Sequence, residues 1–139
     1  MRGTRMWLVT FVCVMMLVAG GIAHAAQLSW WSHWPVEDSK KAVLFEAKKR
    51  FEAANPGHTV NITFYEKKNM RPPLRAAFTA GSGFPDVFYY DIDVPEFITA
   101  GWLADLTQGI RWNNIEEYGK AFWTLPGAGG KTGTWAIPV

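Results

Sequence analysis

Cysteine is almost missing from this chain: Cys13 is the only one among 139 residues, and it lies within an amino-terminal apolar stretch. The rest of the chain has no thiol, so no disulfide can hold it and its stability has to come from a packed core. An excess of charge is missing too. Of the 14 Lys and Arg, Arg2 and Arg5 sit at the extreme amino terminus, and the other 12 match the 12 Asp and Glu. That balance leaves no basic footprint for nucleic acid or for an anionic membrane surface. Histidine is scarce, at three residues, and His33, without a second His, Cys or clustered carboxylate, gives no metal signal, so neither a metal nor a cofactor is expected. There is no tandem repeat and no low-complexity tract.

Long hydrophobic runs are limited to one, Met6 to Ala19, broken only by Thr10. Arg2 and Arg5 precede it, Gly20 and Gly21 follow it, and Ala23-His24-Ala25 then puts small residues at the two positions that a signal peptidase inspects. This is the order of a secretory signal peptide, with cleavage before Ala26. The run is short for a span of about 20 residues. Phe11 and Val12 before Cys13 are not the small residues that a lipoprotein cleavage site requires, which disfavours a lipid anchor. The expectation is a signal peptide over 1–25 and a single α/β domain over 26–139, located in the periplasm or outside the cell and not inserted in the membrane after cleavage.

Within that domain the hydrophobic period switches repeatedly. Leu28 to Trp31 is a short strand. From Ser39, Val43 or Leu44, Ala47, Phe51 and Ala54 recur at helical spacing, with Asp38 or Ser39 as cap and Asn55-Pro56-Gly57 as stop. Val60, Ile62 and Phe64 alternate with polar residues, the mark of a half-buried strand. Pro72 and Pro73 fit the first turn of a second helix carrying Leu74, Ala77 and Phe78, and Gly81-Ser82-Gly83 ends it. Val87 to Tyr90 reads as a third, more fully buried strand. Asp93-Val94-Pro95-Glu96 opens a short helix that Gly101 stops. Further on, Ile115 to Trp123 is predicted helical and Trp135 to Val139 a strand. Strand, helix, strand, helix, strand, helix argues for a layered α/β sheet.

At this point the residues resemble a family. Phe45 to Gly57 with the strand after it, Ala80-Gly81-Ser82-Gly83-Phe84-Pro85-Asp86-Val87, and Ala100-Gly101-Trp102-Leu103-Ala104-Asp105-Leu106 are similar, in order and spacing, to bacterial extracellular solute-binding proteins of ABC importers, the sugar-binding group in particular. Ala136-Ile137-Pro138-Val139 resembles the strand that leads toward the family's second lobe. The resemblance implies the amino-terminal lobe of a two-lobed, class II periplasmic-binding-protein fold, with the second lobe missing from this sequence. It also implies a monomeric receptor that takes a small solute, a sugar by its group, and hands it to permease subunits, with no catalytic role.

In open α/β sheets ligands sit beyond the carboxyl ends of the strands. A sugar needs flat apolar surface and oriented hydrogen-bonding groups. The candidate ligand-binding residues on that argument are Trp31, Ser32, His33 and Trp34 after the first strand, and Asp91 and Asp93 after the third. Two other readings stay open. One is a small secreted carbohydrate-active hydrolase using Asp91 and Asp93, or Asp86, as acid and base, which would need two carboxyl groups across one bond. The other is a secreted interaction domain with exposed tryptophans. Leu125 to Thr132 ends like a phosphate-binding loop but lacks the first glycine and a following helix, so it is set aside.

Overall fold

A computed structural model describes residues 25–91 and 94–138. The expected signal peptide, apart from Ala25, lies outside the described residues, as does Asp93. Three parallel strands carry the fold: β1 (Gln27–Ser32), β2 (Thr59–Phe64) and β3 (Val87–Tyr89), in the order β2-β1-β3. Registers run from Gln27↔Thr59 to Ser32↔Phe64 on one side of β1 and from Trp30↔Val87 to Ser32↔Tyr89 on the other. Each connection is helical: α1 (Asp38–Ala54) joins β1 to β2, and α2 (Lys67–Ala80) joins β2 to β3. A short α3 (Val94–Thr99) follows.

Side chains alternate across the strands, so Trp31 and Phe88, opposite each other in register, share one face. That face packs on Met70, Leu74 and Phe97, all fully buried, with Phe78, Trp102 and Leu103 around them. The aromatic contacts are close: Phe78 stacks on Trp102 at 5.4 Å and 7°, and Phe97 meets Phe88 edge-on at 6.0 Å. On the other face lie Leu28, Trp30, Val60 and Ile62, by the same alternation. There α1 contributes the buried Leu44, while Phe45, half exposed, meets Phe64 edge-on at 6.0 Å. Part of the outer edge of β2 is covered by α1 side chains. Glu52 accepts the Val60 N–H at 2.8 Å and Lys48 donates to the Val60 carbonyl at 2.6 Å, which satisfies backbone groups that an edge strand would otherwise present to another chain.

Four expectations need correction. First, α2 begins at Lys67, not at the prolines, which fall in its second turn. Met70 lies one turn before Leu74 on the same face and is fully buried, so core packing extends the helix backwards despite two missing N–H donors. Second, β3 is an edge strand and not the more buried one, because among the described residues it pairs only with β1 and leaves Val87 51% exposed. Third, α1 starts after Glu37 with no side-chain cap; Asp38 instead pairs with Lys41 at 2.8 Å in the first turn. Fourth, the tail strand is not Trp135 onward. The regular pieces are α4 (Glu117–Phe122) and an antiparallel hairpin of β4 (Thr124–Pro126) and β5 (Thr132–Thr134).

Trp135 explains that last shift. Its N–H bonds the Trp123 carbonyl at 3.1 Å and its indole N–H donates to the Leu125 carbonyl at 2.8 Å, so the residue folds back on the hairpin. The indole lies so close to Gly127 that any side chain there would collide with it. The glycine-rich run is therefore a hairpin turn, and its glycine content serves a close approach to tryptophan. The hairpin docks on the preceding loop through Leu106 N–H to Thr134 carbonyl at 2.7 Å and Thr134 N–H to the Thr107 hydroxyl at 3.0 Å. Asp105 braces that loop: hydrogen bonds from Thr107, then Lys131, hold its carboxyl down at about 2. Gly101, at φ 73, stops α3 as expected, with Trp102 N–H bonded back to the Phe97 carbonyl.

The core assignment has a direct test. Leu74→Ala removes a fully buried side chain and is expected to cost about 2–5 kcal/mol in urea unfolding, whereas Tyr118→Ala, at an exposed position, should stay within about 0.5 kcal/mol.

Candidate functional site

Parallel strands end together, so the carboxyl ends of β1, β2 and β3 form one rim, and the amino ends of α1 and α2 rise from it. At this rim the chain leaves β1 toward β2 on one side, and it leaves β3 on the other. Between β1 and β3 the connections diverge and a crevice opens, the position where open α/β sheets take ligands. A recess of about 350 Å³ occupies that position. Its wall is aromatic: Tyr89 lies 4.0 Å from Trp34 and 4.8 Å from His33 between ring centres, the latter pair nearly parallel at 28°. Its charged groups are Glu37 and Lys40 from the start of α1, Glu66 and Lys67 from the start of α2, and Asp91 after β3.

His33 is 8% exposed, and its Nδ1 stands 2.9 Å from the Tyr89 carbonyl. A carbonyl only accepts, so Nδ1 carries the hydrogen and, in the neutral ring, Nε2 is left as an acceptor. The same bond ties the loop after β1 to the end of β3. Lys67 donates to Asp91 at 2.8 Å across the recess. Lysine in the first turn of α2 meets the positive end of that helix, whose first turn holds no acidic residue, and Asp91 pairs with it. The ammonium, hydrogen-bonded to it, holds the Asp91 carboxyl below the usual carboxylate range, and Asp91 in turn raises Lys67. Burial, and then the charge of Asp91, push the Tyr89 phenol up. Asp91 is therefore ionised at neutral pH, a state that accepts hydrogen bonds and is unsuited to donating a proton to a glycosidic oxygen.

Of the six residues expected at the site, His33, Trp34 and Asp91 come together around this recess. Trp31 does not line it: strand alternation turns its ring inward, where it packs on the core and on Tyr65 at 4.9 Å. Nor does Ser32, which is fully buried and accepts the Trp34 N–H on its hydroxyl at 3.3 Å, shaping the turn that carries Trp34. Asp93 lies outside the described residues. The sequence reading missed Tyr89, Glu37, Lys40, Glu66 and Lys67. Tyr89 lies on the same strand end as Asp91 and the strand-end argument reaches it. The charged residues follow from a companion rule: in a βα unit the helix starts where the strand stops.

A parallel α/β body with an aromatic and charged recess at its strand switch point has the form in which open sheets take small ligands. Residues 34–136 match the bacterial extracellular solute-binding proteins, and the chain belongs to that family. No curated protein and no solved structure matches it. Among the described residues no helix is long and apolar enough to cross a membrane.

The Lys67–Asp91 pair has a pH signature. Because Asp91 is held down in the folded chain, the pair stabilises at pH above the ordinary carboxylate range and is lost as pH falls through the lowered value. Carboxyl carbon NMR should place the Asp91 midpoint below that of an ordinary aspartate, and Lys67→Met should return it upward. An unchanged midpoint would mean that the pair does not form in solution.

Proposed function

We propose that this protein is the solute-capturing component of an ABC importer, that its cargo is a carbohydrate, and that it delivers this cargo to a membrane permease. The single observation that carries the reading is the recess at the β1/β3 switch point, walled by Trp34 and Tyr89, in a chain of the solute-binding family. Ring faces suit the C–H side of a sugar, and the Asp91 carboxylate and His33 Nε2 are acceptors for its hydroxyls. Residues 1–25 are proposed as the signal peptide and 26–139 as the first lobe of a two-lobed receptor. Closing of two lobes on the solute is what a permease would recognise, since a ligand that contacts both lobes prefers the closed state.

Binding by this lobe alone then uses part of the contacts. Calorimetry of residues 26–139 against neutral mono- and oligosaccharides should give a Kd of about 1 mM, and Trp34→Ala should weaken it by about tenfold or more, one 1.4 kcal/mol step. Trp135→Phe, on the hairpin, should leave it unchanged. Micromolar affinity would remove the need for a second lobe, and indifference to Trp34→Ala would remove this recess as the site. For the exported form, intact-mass measurement of the chain secreted from a bacterial host should find Ala26 as the first residue; a retained amino terminus would refute the cleavage.

A further inference from the structure

The aromatic wall of the recess already has an occupant. Lys40 Nζ lies 4.8 Å from the centre of the Trp34 ring and 3.5 Å from Glu37 Oε1. An aromatic face with a carboxylate beside it is the surrounding that holds an alkylammonium, so the chain fills a cation site with its own side chain. The hold is loose. Lys40 and Glu37 are 47% and 41% exposed, and their separation exceeds the 2.8 Å of Lys67 and Asp91; pairs of this kind form and break at little cost.

The charges around the recess sharpen the point. Three carboxylates, Glu37, Glu66 and Asp91, face two ammonium groups, Lys40 and Lys67. Stacking a neutral ring on Trp34 would push Lys40 away and leave the acidic side without that counter-charge. A solute bringing its own ammonium replaces like with like, and it also finds the acceptor Nε2 of His33. We propose that the solute of this recess carries a protonated primary amine, which displaces the Lys40 ammonium from Trp34 and Glu37. The inference rests on the reading of the recess as the solute site and adds the chemistry of what enters it. Lys40 is then an internal competitor, present in the empty site and expelled on binding.

An internal competitor has an unusual consequence: its removal tightens binding. The test is calorimetry on the chain with glucosamine, glucose, glucuronate and putrescine, at low and at high salt. Glucosamine or putrescine should bind about tenfold tighter than glucose, with added salt weakening the amine alone. Glucosamine tightest places the amine on a sugar ring; putrescine tightest places it on an alkyl chain. Lys40→Ala and Lys40→Gln should each tighten the amine several-fold, and Glu37→Gln should weaken it; circular dichroism confirms that each variant is folded. Glucose equal to or tighter than both amines, with Trp34→Ala abolishing its binding, overturns the amine proposal while the solute site stands. Tightest binding of glucuronate, lost in Lys40→Ala, overturns it in favour of Lys40 as a ligand contact. Binding of no probe at all removes both the amine proposal and the site.

Discussion

Parallel pairing of β1 with a neighbour on each side is the constraint from which the other features descend. Parallel strands bring like ends together, so the register of β2 and β3 on β1 decides that Ser32, Phe64 and Tyr89 end at one rim. The pairing is specified less by the backbone than by what lies on its two faces. A slip of β3 by one residue would turn Phe88 away from Met70, Leu74 and Phe97 and bring Val87 and Tyr89 inward. Buried Phe97, contributed by the short helix that follows β3, thus helps to fix where the recess opens. Lys48 and Glu52 cover the Val60 backbone on the outer edge of β2, and His33 ties the loop after β1 to the end of β3, so the joining of that strand pair and the wall of the recess share one residue.

The charges at the rim follow from the same topology. Each helix starts where a strand stops, and its first turn therefore projects beside the strand ends. For α1 this brings Glu37 and Lys40 to the recess, and for α2 it brings Glu66 and Lys67. Lys67 is the revealing member, because a cation at a helix amino end is misplaced for the helix alone. Its tolerance depends on Asp91, which is supplied by the strand that α2 leads into. The ion pair is a local correction to helix electrostatics and at the same time a polar wall of the cleft.

Much of this was legible in the amino-acid pattern. The alternation of Val60, Ile62 and Phe64 and the stop at Asn55-Pro56-Gly57 depend on local chemistry, and both appear where expected; Asn55 even donates its side chain to the Phe51 carbonyl at 2.8 Å. What was hidden depended on distant packing. Pro72 and Pro73 advertise a helix start, yet the burial of Met70 outweighs them. Val87 to Tyr89 is rich in β-formers, but composition does not say whether a further strand covers its outer edge. Trp135 to Val139 reads as a strand, but Trp135 finds the Leu125 carbonyl and the space above Gly127. The site was half legible for a related reason: the strand-end rule locates the rim, while the direction of each side chain depends on where the strand stops.

Trp31 and Trp34 make that last point concrete. Three residues apart, they have opposite roles because the strand ends between them. While the chain is in β1, alternation commits Trp31 to the core face, where it meets Tyr65 and the Met70, Leu74 and Phe97 cluster. Ser32, the final strand residue, is buried, and its hydroxyl receives the Trp34 N–H, so the turn out of the sheet is set from within. Beyond it alternation no longer applies, and Trp34 is free to lie across Tyr89 at the mouth of the recess. Tyr89 belongs to β3, whose neighbour Phe88 packs on the same cluster as Trp31. The recess wall and the core are thus two faces of the β1–β3 pair. In the proposed site, a solute on Trp34 and Tyr89 would rest on the strand pair that Trp31 and Phe88 pack onto the core, beneath a wall whose outer charge, Lys40, is exposed.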